Sequence, residues 1–206
     1  IQDDFHFTQN MQSYALPNGP EPVYRFEIGG AAADFLHSAS QQGETGRFVV
    51  LLAALFRVLE RYSGVKNCFV DSPRLLTRPR PEFEGAIPLI AESAAGLTVR
   101  EYLNQVRTIV QETYAYQDFP VSDFAATLLQ HRPATNILLQ WEGLHEPASG
   151  SYDLTISANR GSTLALTLEG NPNLFNLQFL QHFARHLTHM IAGFAVLDSP
   201  LDGISL

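Results

Sequence analysis

An α/β fold is what the sequence predicts, and three observations carry the prediction. Thr45 to Gly64, TGRFVVLLAALFRVLERYSG, repeats Phe48, Leu51, Leu52, Leu55, Val58, Leu59 and Tyr62 at three- and four-residue intervals, the period of a helix with one broad apolar face. Short segments with strand character stand on either side of it, at Val23–Ile28 and again between Asn136 and Glu169. A second amphipathic helix, Leu174 to Leu197, closes the chain. A helix as apolar as the first must be covered on most sides, which makes it the expected centre of the core.

In chain order, residues 1–20 are polar and end in LPNGP, a Pro/Gly cluster that reads as a loop or linker. Val23-Tyr-Arg-Phe-Glu-Ile28 alternates apolar and polar residues, a half-buried strand broken by Gly29 and Gly30. Ala31 to Gln41 reads as a short helix closed by Gly43. The central helix follows, with Arg57, Glu60 and Arg61 late in it, where arginines suit the negative end of the helix dipole, and Gly64 as its C-cap. Asn67 to Asp71 is a short strand expected to stop before Pro73. Residues 73–88 carry four prolines with Arg74, Arg78 and Arg80, and proline this dense predicts an extended, solvated loop whose arginines pair with Glu82 and Glu84.

Leu89 to Ala91 is a short strand. Thr98-Val-Arg-Glu101 forms a capping box, with Leu97 and Tyr102 placed for a hydrophobic staple. The helix it opens runs to about Tyr116, with Tyr102, Leu103, Val106, Ile109, Val110 and Tyr114 along one side. Pro120 starts another helix, with Phe124, Leu128 and Leu129 inward. Asn136–Trp141, Tyr152–Ser157 and Thr163–Glu169 are three strands, the last two joined by a hairpin turn at Asn159-Arg-Gly161. Asn173 caps the final helix, whose inward face holds Leu180, Phe183, Leu187, Met190, Ile191 and Phe194.

Composition narrows the function classes. At 206 residues the chain sits nearest one domain, with two small lobes as the alternative, and is long enough to bury a core without a disulfide or metal. Cys68 is the only cysteine, which excludes an internal disulfide and fits a reducing, cytoplasmic setting. A net charge of −8 and a pI near 5.3 argue against nucleic acid as a partner. No uninterrupted apolar run is long enough to span a membrane, and IQDDFHF lacks the marks of a signal peptide. Ile1 rather than Met at the start is read as the mark of a piece trimmed from a longer polypeptide, or of a mature fragment.

Little chemistry assembles from the residues alone. His182, His186 and His189 sit at i, i+4 and i+7, a metal-ligand spacing on one helix face. No acidic or thiol ligand accompanies them, so they read as a half-exposed histidine face and no metal is expected. Asp118 and Asp153 are carboxylates without a paired partner, read as structural. There is no G-x-S-x-G, no G-x-G-x-x-G and no Walker loop. No catalytic and no cofactor-binding residue is assigned.

The order of the segments does carry a resemblance. Arg57 onward, RVLERYSGVKNCFVDSP, resembles the helix–strand step of condensation domains in nonribosomal peptide synthetases, written RYSGQ-x-D-x-x-VG-x-P. Glu82-Phe-Glu-Gly-Ala-Ile87 continues it, and Tyr116-Gln-Asp-Phe-Pro120 is similar to HQDLPFE. Asn136-Ile-Leu-Leu-Gln140 stands where the family shows NPLFQ, and Tyr152-Asp-Leu-Thr155 matches YDLTL. Asn173-Leu-Phe175 opens the family's last helix, and Pro200 to Leu206, PLDGISL, resembles its closing sequence. The match runs in order from Arg57 to Leu206 and implies the C-terminal lobe of such a domain. That lobe is a chloramphenicol acetyltransferase-like mixed β-sheet packed with helices.

The departures bear on activity. The family's HHxxxDG motif belongs to the other lobe, and this sequence has no adjacent histidine pair. Tyr116 replaces the histidine that opens HQDLPFE, and Ala86-Ile87 passes directly to Pro88 where the family inserts Gly-Phe-Val-Asn. The resemblance thus implies a non-catalytic, truncated condensation-like module, a platform for an adenylation domain following Leu206. A carrier protein is a further partner, and it would bring the phosphopantetheine. The alternatives are the C-terminal half of an active condensation domain, and an acyltransferase-like protein that holds a coenzyme A or pantetheine thioester through Arg74, Arg78 and Arg80.

Overall fold

The computed structural model describes residues 19–39, 43–64, 67–76, 86–92, 94–117, 136–148, 150–159 and 164–206. Within them the elements run β1 (Val23–Glu27), α1 (Gly30–Ala39), α2 (Gly43–Ser63), β2 (Cys68–Pro73) and β3 (Ala86–Ala91). Then come α3 (Val99–Ala115), β4 (Ile137–Trp141), β5 (Leu154–Asn159), β6 (Ala165–Gly170), α4 (Leu177–Gly193) and a 3-10 turn at Leu201–Gly203. The strands form one mixed sheet in the order β1-β6-β5-β4-β2-β3. β4 lies parallel to both its neighbours, β2 and β5, while the remaining pairs are antiparallel.

Sequence character decides strand position. β4 is ILLQW, and its Ile137, Leu138, Leu139 and Trp141 are all buried, as a strand covered on both faces must be. β1 is VYRFE at the sheet edge and alternates exposed with half-buried residues, so only Tyr24 and Phe26 turn toward the core. The β5–β6 hairpin registers Ile156 against Leu168 and Ala158 against Leu166, which sets four buried apolar residues side by side.

α2 is the central helix the periodicity predicts. Every residue from Phe48 to Leu59 is buried, because α1, α3, α4 and β2 all pack on it. Gly64 ends it in the left-handed region (φ +68°), its N–H donating to the Glu60 carbonyl at 2.8 Å, and a side chain there would be strained. Thr98 and Glu101 form the expected capping box, and α3 ends at Ala115 with Tyr116 as its cap.

Several boundaries differ from the sequence reading. Gly43 (φ +77°) opens α2 rather than closing α1, which stops at Ala39. β2 does not stop before Pro73 but includes it, and β3 starts at Ala86 and contains Pro88. Proline is tolerated there because β3 is the sheet's edge strand and Pro73 is the last residue of β2. The final helix is capped by Asn176, not Asn173, and its side-chain oxygen accepts from the Phe179 N–H at 2.8 Å. Asn173 instead sits in the turn before it, donating its N–H to the Asn171 side chain. The same helix stops at Gly193, short of Leu197, where the chain turns back on itself. The expected helix from Pro120, the turn at 160–161 and the linker over 1–18 lie outside the described residues.

Candidate functional site

Two polar clusters interrupt the apolar core, and one of them holds the closing segment of the chain. That segment, 196–206, folds back over the start of α3. Ser199 and Leu197 carbonyls accept from the N–H groups of Val99 and Arg100 at 3.0 and 2.8 Å. These are two of the first-turn donors that a helix cannot satisfy internally. Thr98 supplies its hydroxyl to the third, on Glu101. The Leu201 N–H donates to the Leu97 carbonyl at 2.9 Å, and the Leu201 side chain is fully buried.

Charge fixes the same segment from below. Arg57 on α2 is 3% exposed and forms ion pairs with Glu60, one turn on, and with Asp202 in the closing segment. Burial works against its charge, but the hydrogen bonds and charges of Glu60 and then Asp202 outweigh that, and its pKa is raised. Asp202 also accepts from the Gly96 N–H at 3.1 Å, and this bond followed by Arg57 holds its carboxyl below the ordinary range. Arg61 donates to the carbonyls of Asp202 and Ile204 at 3.1 and 3.4 Å. Packing completes the hold: a Cβ on Gly193 would lie 2.7 Å from Ile204 Cγ2, so only glycine lets the segment lie flat on the end of α4. The RYSG stretch therefore has a physical task. Arg61 holds the closing segment, and the Tyr62 hydroxyl meets His186 Nδ1 on α4 at 2.6 Å. Ser63 bonds back to the Leu59 carbonyl, and Gly64 turns the chain.

The second cluster is neutral. His145 follows a turn in which Gly143 (φ +80°) lets the chain fold back, so that its Nδ1 accepts the Trp141 N–H at 3.0 Å. That fixes the proton on Nε2, which donates to the Tyr114 hydroxyl at 2.9 Å. Tyr114 donates to Ser72 Oγ at 2.8 Å, and Ser72 donates to the Leu139 carbonyl at 2.9 Å. Phe48 packs edge-on to the His145 ring. Burial lowers the His145 pKa to about 4, so the ring is neutral at pH 7, and burial likewise raises that of Tyr114. The chain satisfies every donor along it and joins β2, α3 and the end of β4. Reading the sequence missed it, because no local spacing links Ser72, Tyr114 and His145. Histidine just after the Trp141-Glu-Gly turn was the sole hint.

The residues singled out from sequence are dispersed. Arg74 is not in a solvated loop; it is 5% exposed at the end of β2, while Arg78 and Arg80 lie outside the described residues. Its carbonyl accepts from Glu146 and the Gln117 side chain accepts from Leu75, which ties this stretch to the His145 turn. His182 and His186 are half-buried and His189 is exposed on α4. Tyr62 occupies His186 Nδ1, and among the described residues no three His, Cys, Asp or Glu side chains gather as a metal site would require. Asp153 accepts from the Asn136 N–H and the Asn171 side chain, each at 3.0 Å, and so staples β4 to the end of β6. Asp118 lies outside the described residues. Tyr116 is 70% exposed. Burial pushes the Cys68 thiol up to about 12, which makes it an inert core residue. No helix of the described residues is long and apolar enough to cross a membrane.

No family model matches the chain. It is 25% identical over 196 residues to a plipastatin synthase protein of Bacillus subtilis, covering 81% of this chain and 5% of that protein. It is 26% identical over 214 residues to a linear gramicidin synthase protein of Brevibacillus parabrevis, covering 89% and 4%. Among solved structures, the first condensation domain of the calcium-dependent antibiotic synthetase superimposes with a TM-score of 0.73 at 18% identity. The match covers 98% of this chain and 51% of that one. A four-domain nonribosomal peptide synthetase bound to AMP and glycine gives 0.71 at 16% identity, over 97% of this chain and 20% of that one. The chain thus has the fold of about half a condensation domain, a chloramphenicol acetyltransferase-like lobe, and it spans a small fraction of its curated relatives.

Proposed function

We propose that this chain is a non-catalytic, condensation-like lobe of a peptide synthetase that serves as a rigid platform for a neighbouring adenylation domain. The observation that carries the reading is the hold on the closing segment. Arg57, Arg61, Gly96 and the first turn of α3 together anchor 197–204, so a domain attached beyond it leaves from a fixed point in a fixed direction. Entropy supports this, since a segment already ordered adds no further ordering cost when the next domain docks. The catalytic histidine pair of the family has no counterpart in the sequence. Three of the groups the fold buries, His145, Tyr114 and Cys68, have pKa values driven away from acid–base or nucleophilic work at neutral pH.

The test joins the chain through Leu206 to an adenylation domain and measures the relative orientation of the two by small-angle scattering. One compact arrangement is expected, broadening when Arg57 and Arg61 are replaced together. Independent tumbling of the two in the unaltered protein would refute the platform.

A second reading has its own support: the chain covers 51% of a condensation domain almost end to end, as half of a working enzyme would. Under it, a lobe bearing HHxxxDG restores amide formation between two carrier-bound thioesters. Mixing the two lobes with loaded carrier proteins and assaying the dipeptidyl thioester separates the readings. Product favours the enzyme half, and its absence with a well-formed lobe pair favours the platform.

A further inference from the structure

We propose that the cleft between α1, α2 and α3 is a binding site for a small monoanionic amphiphile, an alkyl carboxylate of medium length. The cleft has a volume of about 270 Å³, just under the range of about 300–1,000 Å³ that holds drug-sized ligands, so its occupant is small. Its floor is apolar: Val49 and Val50 from α2 and Leu103 from α3, with Phe35 and Leu197 as walls. Its rim is cationic in a chain whose net charge is −8.

The rim is ordered by helix geometry. Arg100, Asn104 and Arg107 stand at i, i+4 and i+7, on one face of α3 above the floor. Arg100 is neutralised by Asp198, which takes its Nε at 2.9 Å and its Nη2 at 3.3 Å. Among the described residues neither Arg107 nor the Asn104 side chain beside it meets an ion-pair or hydrogen-bond partner. One guanidinium with an adjoining amide matches a single carboxylate, which arginine can grip with two parallel N–H donors. The alkyl tail then runs over Val49, Val50 and Leu103.

Isothermal titration of the whole chain with octanoate and, in parallel, with octan-1-ol tests this without any variant. Saturable one-site binding of octanoate is expected, at least tenfold tighter than the alcohol. Affinity should rise about fourfold per added methylene from butanoate until the cleft is full. Arg107→Glu, at a half-exposed position outside the core, should weaken octanoate at least tenfold and leave octanol unchanged. Absence of saturable octanoate binding, equal affinity for acid and alcohol, or indifference to Arg107→Glu would each overturn the site. The measurement needs no partner domain, so it stands or falls apart from the platform.

Discussion

Around Arg57 the fold buries a charge, whereas around His145 it buries only neutral groups. The Arg57 cluster ties a terminal segment to the core through ion pairs, with Asp202 still 52% exposed and the Arg57 Nε unmatched by any described acceptor. The His145 cluster ties three internal elements through neutral hydrogen bonds in which every donor has an acceptor, the Tyr114 hydroxyl lying within reach of both Ser72 Oγ and the Pro73 carbonyl. Neutral polar groups fully paired are inexpensive to bury, while a buried guanidinium requires partners that repay its lost hydration. The difference teaches where each solution fits. Joints inside the sheet and helix core use neutral pairs, and the joint that pins the 196–206 segment uses charge, which reaches across to a half-solvated partner.

Removing the buried charge tests that contrast most strongly. Arg57→Ala should lose about 3 kcal/mol in denaturant unfolding, since it strips a packed side chain and removes the buried cation that Glu60 and Asp202 share. Arg57→Met restores most of the buried volume and should recover more than half of that loss. If Met matches the native protein, the ion pair contributes nothing to stability and exists to choose the segment's position. A Met variant as damaged as Ala would show that the charge itself is stabilising.

Acid should break the other cluster at comparable scale. The His145 pKa is about 4 when folded against about 6.5 when unfolded, so between those values the unfolded chain binds the extra proton. Its stabilisation is whole above pH 6.5 and declines as pH falls toward 4, by about 3 kcal/mol across the window. Thermal melts from pH 7 to 4 should show the decline, and His145→Asn, which keeps an acceptor near the Trp141 N–H, should flatten it. A slope that persists in the variant would assign the titration elsewhere.

What the sequence disclosed follows the range of each interaction. α2 was legible because its apolar period and Gly64 are local, and so was the Thr98–Glu101 box. The start of α4 was misplaced because Asn173 and Asn176 are both sound caps, and only tertiary packing decides for Asn176. β2 and β3 were read too short because Pro73 and Pro88 look like breakers until the sheet order puts β3 at an edge. The sites were least legible. Arg57 read as a helix-dipole partner because Asp202 lies 145 residues away, and His145 was passed over because Tyr114 is 31 residues off. Ordered motifs still gave the condensation-domain fold, since those segments turn out to be structural joints: the Asp153 staple, the RYSG turn and the closing segment.

A single hydroxyl should matter less than either titration or charge. Tyr114→Phe leaves Ser72 Oγ and the His145 Nε2–H without this partner inside the core, and about 2 kcal/mol should be lost. The double variant Tyr114→Phe with Ser72→Ala should lose less than the sum of the single changes, because the orphaned hydroxyl goes with it. Additive losses would mean that the two groups act separately and that the chain of bonds is no unit.

The smallest global effect, and the most local one, belongs to Asp202→Asn. Arg57 keeps Glu60, and the side-chain oxygen of Asn can still accept from the Gly96 N–H, so only the charge is lost at a half-exposed position. Solvent screening limits the global change to about 0.5–1 kcal/mol, smaller still in high salt. Because Gly96 and Arg57 hold the Asp202 carboxyl below its ordinary range, its contribution is present at neutral pH. It is lost as pH falls through that lowered value, and the Asn variant lacks this loss. Hydrogen exchange resolves what a melting curve would miss. The amides of Gly96, Arg100 and Leu201, which meet the closing segment or belong to it, should exchange faster in the variant while those of α2 do not change. Uniform acceleration through α2 would make Asp202 part of the core's global stability. Acceleration confined to the segment would mean that the charge governs a local opening of the segment alone.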